Sequence, residues 1–472
     1  MARWILLVAV LGLAWKLAAD SRQPRDRAGE RPNVILIVTD DQPAGYVDLM
    51  PRTKSRLVDQ GMTFRNAFAT TSLCCPSRAS ILSGAYASTH GITTLGGAPI
   101  FDARDTVATR LRGAGYRTAL FGKYLNDNKK LSPRVPPGWD EWRTFADSYA
   151  SFTDEDHLYY TYELNENGTM VSYGDAPEDY STDVLVRFAV EFLRSAPEPF
   201  FLYLAPYAPH VPPVPAERHI GAYADLEPTA DPSRFEADVS DKPKYVHNHK
   251  EALEAEPFLT TGEWKSHFRG TMESLLALDE GIDRLFDALD ARAIAGRTLI
   301  LYISDNGMLF GSHWGMAKSF PYEGSIKVPF YAWYPKEIAP GSATDAIVAN
   351  IDVAPTICAI AGVDPPARNQ GRSLRPLFSG GSVGRTSIFL EWLRDPPGMG
   401  PWLGIRAPGW KYIWYAQDGF EELYDLAGDP YELDNLAVVS PHEHLRVLQR
   451  FRRRVDRAKV KHGLAARAAV SE

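Results

Sequence analysis

Cysteine is nearly absent from this chain: Cys74, Cys75 and Cys358 are the only three in 472 residues. That scarcity excludes a disulfide-stapled scaffold, so the fold must be held by its core. Cys74 and Cys75 cannot comfortably bridge each other, because adjacent Cα atoms are about 3.8 Å apart and ordinary disulfides want roughly 4.4 to 6.8 Å. At most one bridge, to Cys358, is open. Net positive charge is missing as well: 51 Lys and Arg against 59 Asp and Glu give −8 and a pI near 5.8, which speaks against a nucleic-acid partner. An acidic chain can still hold a local basic pocket for an anion. The apolar run from Trp4 to Trp15 has twelve residues, short of the roughly 20 needed to span a bilayer, so no stable membrane span is expected. Internal repeats and low-complexity tracts are also absent, which excludes a solenoid.

What is present suits a large globular protein. At 45% hydrophobic and 23% charged, the chain can bury a sizeable core as one large domain or two moderate ones. Arg3, the apolar stretch that follows it and the small residues Ala18-Ala19 read as an export signal over residues 1–19, which places the mature protein in a secreted or extracytoplasmic compartment. Asn167-Gly168-Thr169 is a single glycosylation sequon, relevant only in a eukaryotic host.

Short apolar runs without alternation recur along the chain, as strands buried on both faces do. "NVILIVTDD" (33–41) ends in two carboxylates. "TVATRLRGAGYRTALFGKY" (106–124) gives a helix, a Gly-Ala-Gly stop and a strand running to Lys123. "PFFLYLAPYAPH" (199–210) runs into a Pro-rich loop carrying His210, and "TLILYISDN" (298–306) follows a helix with Leu275, Leu278, Ile282, Leu285 and Leu289 on one face. Alternating helices and buried strands predict an α/β fold with a mostly parallel sheet covered on both sides. Ligands in such sheets collect beyond the carboxyl ends of the strands, where Asp40-Asp41, Lys123, His210 and Asp305-Asn306 all fall.

After about residue 380 the texture changes. "SIFLEWL", "WLGIR", "KYIWYA" and "EELYDL" predict a small antiparallel sheet. The expected organisation is a catalytic α/β unit over 33–380, a small-sheet subdomain over 381–440 and a basic helical tail over 441–472, read mainly as a solvated surface helix. Region 220–260 reads as a long excursion or lid.

Asp40, Asp41, Asp305 and Asn306 can bring three carboxylates and an amide to one end of the sheet. Such oxygen donors suit a hard divalent cation, Ca²⁺ or Mg²⁺, and zinc is disfavoured because neither Cys nor His belongs to that group. Arg78, Lys123, His210, Lys318 and His313 are candidate anion partners that could offset charge developing in a transfer reaction. Taken singly, each is equally an ordinary turn, cap or surface residue. The pairing of Asp40-Asp41 with Asp305-Asn306 gives the metal reading its weight.

"CCPSRASILSG" resembles the signature of the type I sulfatases, Cys-X-Pro-Ser-Arg followed by small residues. The resemblance extends in family order through "NVILIVTDDQ", "GYRTALFGKY", "APYAPHVPP", "ISDNG", "AKSFPYEGSIKVPF", "NIDVAPTI" and "ELYDLAGDPYELDNLA", over nearly all of 33–440. It implies an alkaline-phosphatase-like fold and conversion of Cys74 to formylglycine by a formylglycine-generating enzyme or an equivalent. Cys75 then fills a variable slot. It also implies Ca²⁺ on Asp40, Asp41, Asp305, Asn306 and the modified residue 74, with Arg78, Lys123, His210 and Lys318 holding the formylglycine hydrate and the sulfate. A hydrated aldehyde carries two hydroxyls on one carbon, one to attack sulfur and one to expel sulfate, an exit that a serine ester lacks. Lys318 or His210 would protonate the leaving oxygen.

One departure stands out. Where many members read Lys-Trp-His, this chain reads Lys123-Tyr124-Leu125, and Asn126 or His313 would have to stand in for the missing histidine. The Cys-Cys pair, "GKYLND" and "VPPGWDEW" resemble the branch of N-acetylglucosamine-6-sulfatases and heparan sulfate endosulfatases, which implies a sulfated carbohydrate substrate. The alternatives are an arylsulfatase of broad specificity, a phosphomonoester or phosphonate hydrolase on the same scaffold, and an inactive glycan-binding homologue.

Overall fold

A computed structural model describes residues 31–146, 158–256, 261–394 and 399–461; the export signal read over 1–19 lies outside them. Ten strands form one mixed sheet: β1 (Asn33–Thr39), β2 (Met62–Phe68), β3 (Arg117–Gly122), β4 (Glu141–Phe145), β5 (Glu163–Glu166), β6 (Thr169–Ser172), β7 (Phe200–Ala205), β8 (Thr298–Ser304), β9 (Phe330–Trp333) and β10 (Ser342–Ala349). Their order is β10-β2-β9-β8-β1-β7-β3-β4-β5-β6. The central run from β8 to β4 is parallel, whereas the pairings of β9, β5 and β6 are antiparallel.

The parallel centre follows from the apolar runs. Every residue of β1, β7 and β8 is buried, and alternate side chains enter two cores. Val34, Leu36 and Val38 pack on the side of helices α1 (Cys74–Ser83), α2 (Val107–Gly113) and α6 (Val353–Ala361). Ile35 and Ile37 face α3 (Ser181–Ser195) and α5 (Glu263–Ala291). Each such aliphatic side chain contributes about 1.5–3 kcal/mol on burial. Thr106 caps α2 by accepting from Thr109 N–H while the Thr109 hydroxyl accepts from Thr106 N–H, and this fixes where the helix begins before β3.

The strand ends are locked in register just where the polar residues start. Asp305 N–H donates to Thr39 O at 3.1 Å, Asp40 N–H to Ala208 O at 3.3 Å, and Lys123 N–H to Ala205 O at 2.7 Å. Gly122 has φ +109°, and a Cβ there would stand 1.9 Å from Ala205 O, so only glycine lets β3 deliver Lys123 at this point.

A second sheet of β11 (Ile388–Trp392), β12 (Trp402–Ala407), β13 (Trp410–Tyr415) and β14 (Glu421–Asp425) is antiparallel throughout, as its short spaced segments predict. Its alternation serves two partners. Trp402, Ile413, Tyr415 and Tyr424 pack with Phe320 and Tyr322 of the segment that bears Lys318. Leu403, Ile405, Tyr412, Trp414 and Leu423 pack with the C-terminal helix α7 (Leu445–Lys461). That helix is therefore anchored, not merely solvated: Leu448, Phe451 and Val455 are buried. Within region 220–260, helix α4 (Lys244–Glu254) places Tyr245 against Phe320 and Tyr415.

Candidate active site

Helix α1 begins at Cys74 and all ten of its residues are buried, so its N-terminus is sunk into the protein at the strand ends. Cys74 and Arg78, four residues apart, share one face of it. The Cys74 Sγ lies 3.3 Å from Asp40 Oδ1 and 2.9 Å from Lys318 Nζ. Asp41 adopts φ +67°, a left-handed kink that lets two consecutive carboxylates turn toward the same spot.

Cations surround these acids. Lys318 Nζ bonds both Asp41 oxygens at 2.6 and 2.5 Å. Lys123 donates to Asp40 Oδ2 and stands 5.5 Å from the centre of the Tyr207 ring. Arg78 donates through Nε to Asp305 Oδ2 at 2.7 Å and through Nη1 to Lys123 O at 2.9 Å, and its Nη2 lies 3.6 Å from Asp40 without a hydrogen bond. His210 places Nε2 3.5 Å from Asp41 Oδ2, while its Nδ1 meets Tyr207 Oη at 2.7 Å and Val211 O at 2.5 Å. A carbonyl can only accept, so Nδ1 carries a proton and Nε2 is the end turned to the acids.

The charges interact strongly in this water-poor setting. Burial alone would raise the Asp40 pKa, but Lys123, His210, Arg78 and Lys318 hold it well below the usual carboxylate range. Asp305 is pushed up to about 7 by burial and by repulsion from Asp40. Burial, reinforced by Asp40, pushes the Cys74 thiol well up. Burial and the nearby Lys318 ammonium lower His210 to about 4.

The residues present fit a hard cation. Asn306 Nδ2 donates to Asp41 Oδ1 at 2.7 Å, and Asn306 Oδ1 is buried with no hydrogen-bond partner. An orphaned amide oxygen next to three crowded carboxylates is a donor set short of one positive centre. Zinc is not disfavoured by a lack of Cys or His, however. One ligand atom from each of Asp40, Asp41, Cys74 and His210 lies within 4.8 Å of the others, so sulfur and imidazole do belong to the cluster. The start of α1 and the loop after β7 open on the same edge as the ends of β1 and β8, which spacing along the chain does not reveal. The preference for a hard ion rests instead on the four oxygen-bearing side chains Asp40, Asp41, Asp305 and Asn306.

Nine expected residues thus converge: Asp40, Asp41, Cys74, Arg78, Lys123, His210, Asp305, Asn306 and Lys318. His313 does not join them. It is buried against Glu236, with Nδ1 to Oε1 at 2.8 Å, and stacks on Tyr322 with ring centres 3.9 Å apart. Its own left-handed backbone, φ +49°, turns it toward the small sheet, and the charges that act on it are Glu432, Lys242, Lys411 and Asp231. Asn126 is buried beside Cys75, whose thiol lies within reach of the Asn126 and Gly97 main chain. All three cysteines are free and buried, so the Cys358 bridge does not form.

Some supporting residues escaped the sequence reading. Tyr207 orients His210, Ser77 Oγ donates to Asp305 O at 2.5 Å, and Asn350 ties Ser77 to Thr70. Each lies inside a recognised block, "APYAPH", "CCPSR" or "NIDVAPTI", and the block itself was the only available signal.

Comparison with known proteins agrees with this geometry. The sulfatase family model matches residues 32–363, and the model for the C-terminal part of N-sulphoglucosamine sulphohydrolase matches 311–461. Human N-acetylglucosamine-6-sulfatase is 31% identical over 462 residues, covering 86% of this chain and 81% of that protein. An extracellular sulfatase homologue of Drosophila melanogaster is 34% identical over 383 residues, 77% of this chain; the chain spans only 32% of that protein's length, and 49% of a Caenorhabditis elegans counterpart's. A solved structure of a protein with its substrate D-glucosamine-2-N,6-O-disulfate superposes with TM-score 0.75 at 24% identity, covering 93% of this chain and all of that one. With the family match spanning most of its length and the acid, cysteine and cation cluster at the strand ends, the chain belongs to the sulfatase family.

Proposed function

We propose that this protein is an exported sulfatase that removes sulfate from a carbohydrate, 6-sulfated N-acetylglucosamine or a related glycosaminoglycan unit, after conversion of Cys74 to formylglycine and with Ca²⁺ bound. The observation that carries the reading is that Cys74 starts a buried helix 2.9 Å from Lys318 and 3.3 Å from Asp40, close to the buried cations Arg78 and Lys123. Support for the sugar comes from the named relatives: the human protein is an N-acetylglucosamine-6-sulfatase, and the superposed structure holds a sulfated glucosamine. The working organisation is a leader over 1–19, a catalytic unit over 33–380, a small-sheet subdomain over 381–440 and a tail over 441–472. Among the described residues no helix is long and apolar enough to cross a membrane.

Asp40, Asp41, Asp305 and Asn306 would hold the cation together with residue 74, and the cation supplies positive charge against the nucleophile and the sulfuryl oxygens. The hydrated aldehyde supplies a nucleophilic hydroxyl and a second one through which the sulfated residue is released. The chain's own groups do the rest. Arg78 and Lys123, fixed from two elements, offset the negative charge of the sulfate. Lys318, the cation nearest the residue 74 side chain, donates a proton to the departing sugar oxygen. His210, held at Nδ1 by Val211 O and Tyr207, presents Nε2 to the same space.

The test begins with the mass of the peptide containing residue 74, from protein made in a host with the maturation enzyme. It should be lighter than the cysteine form by the thiol-to-aldehyde change, and sulfate release from 6-sulfated glucosamines should track that fraction. Sulfate release by protein wholly in the cysteine form overturns the mechanism. Faster turnover of an aryl phosphate than of the matched aryl sulfate would favour a phosphomonoester hydrolase instead.

A further inference from the structure

Helix α7 carries a charge pattern that the active-site reading does not use. Its seventeen residues hold eight Lys and Arg against the single Asp456, while the rest of the chain, with 43 basic and 58 acidic residues, stands at −15. Two of those cations are neutralised locally, Arg452 by Glu421 and Lys459 by Asp456. Arg446, Arg450, Arg453 and Arg457 are exposed and, among the described residues, make no ion pair or hydrogen bond. Their spacing of four, three and four residues puts them within one narrow stripe, roughly 16 Å long at 1.5 Å per residue. Arg454 lies beside the stripe and donates to Ser387 Oγ at 2.6 Å. Like charges at these spacings destabilise a helix. The one acid of the helix, Asp456, borders the stripe three residues after Arg453 and is paired with Lys459, which leaves the four arginines in net excess.

We propose that this arginine stripe is a docking surface for a linear sulfated polysaccharide, separate from the catalytic cluster; the identity of the polymer rests on the sulfated-carbohydrate reading above. The stripe and such a polymer are complementary in charge and in chemistry. All four members are arginine, whose planar fork pairs with two oxygens of one tetrahedral anion, where lysine offers only a point charge. A membrane surface fits poorly, because the apolar face that would insert is already occupied: Leu448, Phe451 and Val455 are buried, and Phe451 stacks on Tyr412 with ring centres 5.9 Å apart. Single-stranded nucleic acid fits poorly as well, because the stripe has no aromatic side chain on which a base could stack.

Its location decides what it does. The small sheet lies between α7 and the segment bearing Lys318, with α7 on one face and Phe320 and Tyr322 on the other. A chain bound on the stripe therefore keeps the enzyme on the polymer, and the sugar undergoing reaction is bound elsewhere.

The experiment uses the full-length protein on a column of immobilised heparin, eluted with sodium chloride, with R446S/R450S/R453S/R457S and the milder R453E as variants. Wild type should be retained through physiological salt. The quadruple variant should bind heparin roughly tenfold or more weakly at 0.15 M salt, with R453E between. Its kcat and KM on a monosaccharide sulfate should equal the wild-type values, and its KM on the polymer should rise. Cys74→Ala, which removes the nucleophile, should bind the column like wild type, so a failure of the catalytic reading leaves this result standing. Elution of both arginine variants with wild type overturns the proposal. Duplex or single-stranded DNA of equal charge competing better than heparin overturns the choice of polymer.

Discussion

Two buried clusters of charge lie on either side of the segment that bears Lys318, and they are built on opposite plans. Beneath the small sheet, Glu422 is fully buried, yet both its oxygens are taken: Tyr322 and Tyr424 donate to one at 2.8 and 2.7 Å, Tyr415 to the other at 2.6 Å. Nearby, Lys411 donates to Pro321 O at 2.9 Å and pairs with Glu432, and Arg406 bonds Glu323 at 2.9 Å. At the strand ends, by contrast, Asn306 Oδ1 and Arg78 Nη2 have no hydrogen-bond partner, and two acids, a cysteine and a histidine share a small volume. Satisfied polar groups specify a packing; unsatisfied ones with crowded charge are poised to meet something from outside.

The comparison is broken most forcefully at Lys318. Lys318→Met should lower kcat by roughly 10²–10⁴-fold for sugar sulfates, the usual range for a lost proton donor. For aryl sulfates with acidic phenols the loss should be far smaller, because such leaving groups depart without a proton. Steady-state rates over a series of leaving groups check this, and an equal loss on all of them would show that Lys318 only holds Asp41.

Glu422→Gln should act on the other side of the contrast. Replacing one oxygen by an amide sets a donor against the tyrosine hydroxyls and should cost about 1–3 kcal/mol, read from urea unfolding. Turnover per folded molecule should change little. The small sheet also grips the segment next to Lys318 directly: Trp402 Nε1 donates to Ser319 O at 3.3 Å, Lys411 donates to Pro321 O, and Glu422 accepts from Tyr322 Oη. A collapse of kcat in folded Glu422→Gln would therefore mean that the sheet positions Lys318 and that the clusters are one device.

The same contrast explains what was legible in the sequence. Asp40, Lys123 and Asp305 could be read because each closes an apolar run, and a parallel sheet brings such ends together by construction. Arg78 follows Cys74 by one helical turn. Lys318 could not be placed by pattern, since it sits in an irregular loop, and only the resemblance singled it out. The position of His313 is not legible for the same reason: periodicity says nothing of a loop whose backbone turns at φ +49° and +59° in consecutive residues. The Glu422 cluster was invisible, because in "EELYDL" a buried glutamate and a surface one look alike.

His313 and Glu236 offer the finest probe of the satisfied plan. Burial raises Glu236 to about 8 from an ordinary 4.5, and burial lowers His313 to about 4 from 6.5. Below pH 6.5 the two effects oppose each other: a raised acid makes stability fall with pH between 4.5 and 8, and a lowered histidine makes it rise between 4 and 6.5. Both folded and unfolded chains then hold about one proton on the pair from pH 4.5 to 6.5, and the contributions cancel. Above 6.5 the unfolded chain loses that proton while the folded pair keeps it up to about pH 8, so stability should decline through this window. The decline should approach 2 kcal/mol, at about 1.36 kcal/mol per pH unit. Unfolding free energies at pH 6.5 and 8.0 measure it, and Glu236→Gln, which keeps the shape and removes the titration, should flatten that part of the profile. An unchanged slope in the variant would place the proton elsewhere and leave the His313–Glu236 contact as an ordinary ion pair.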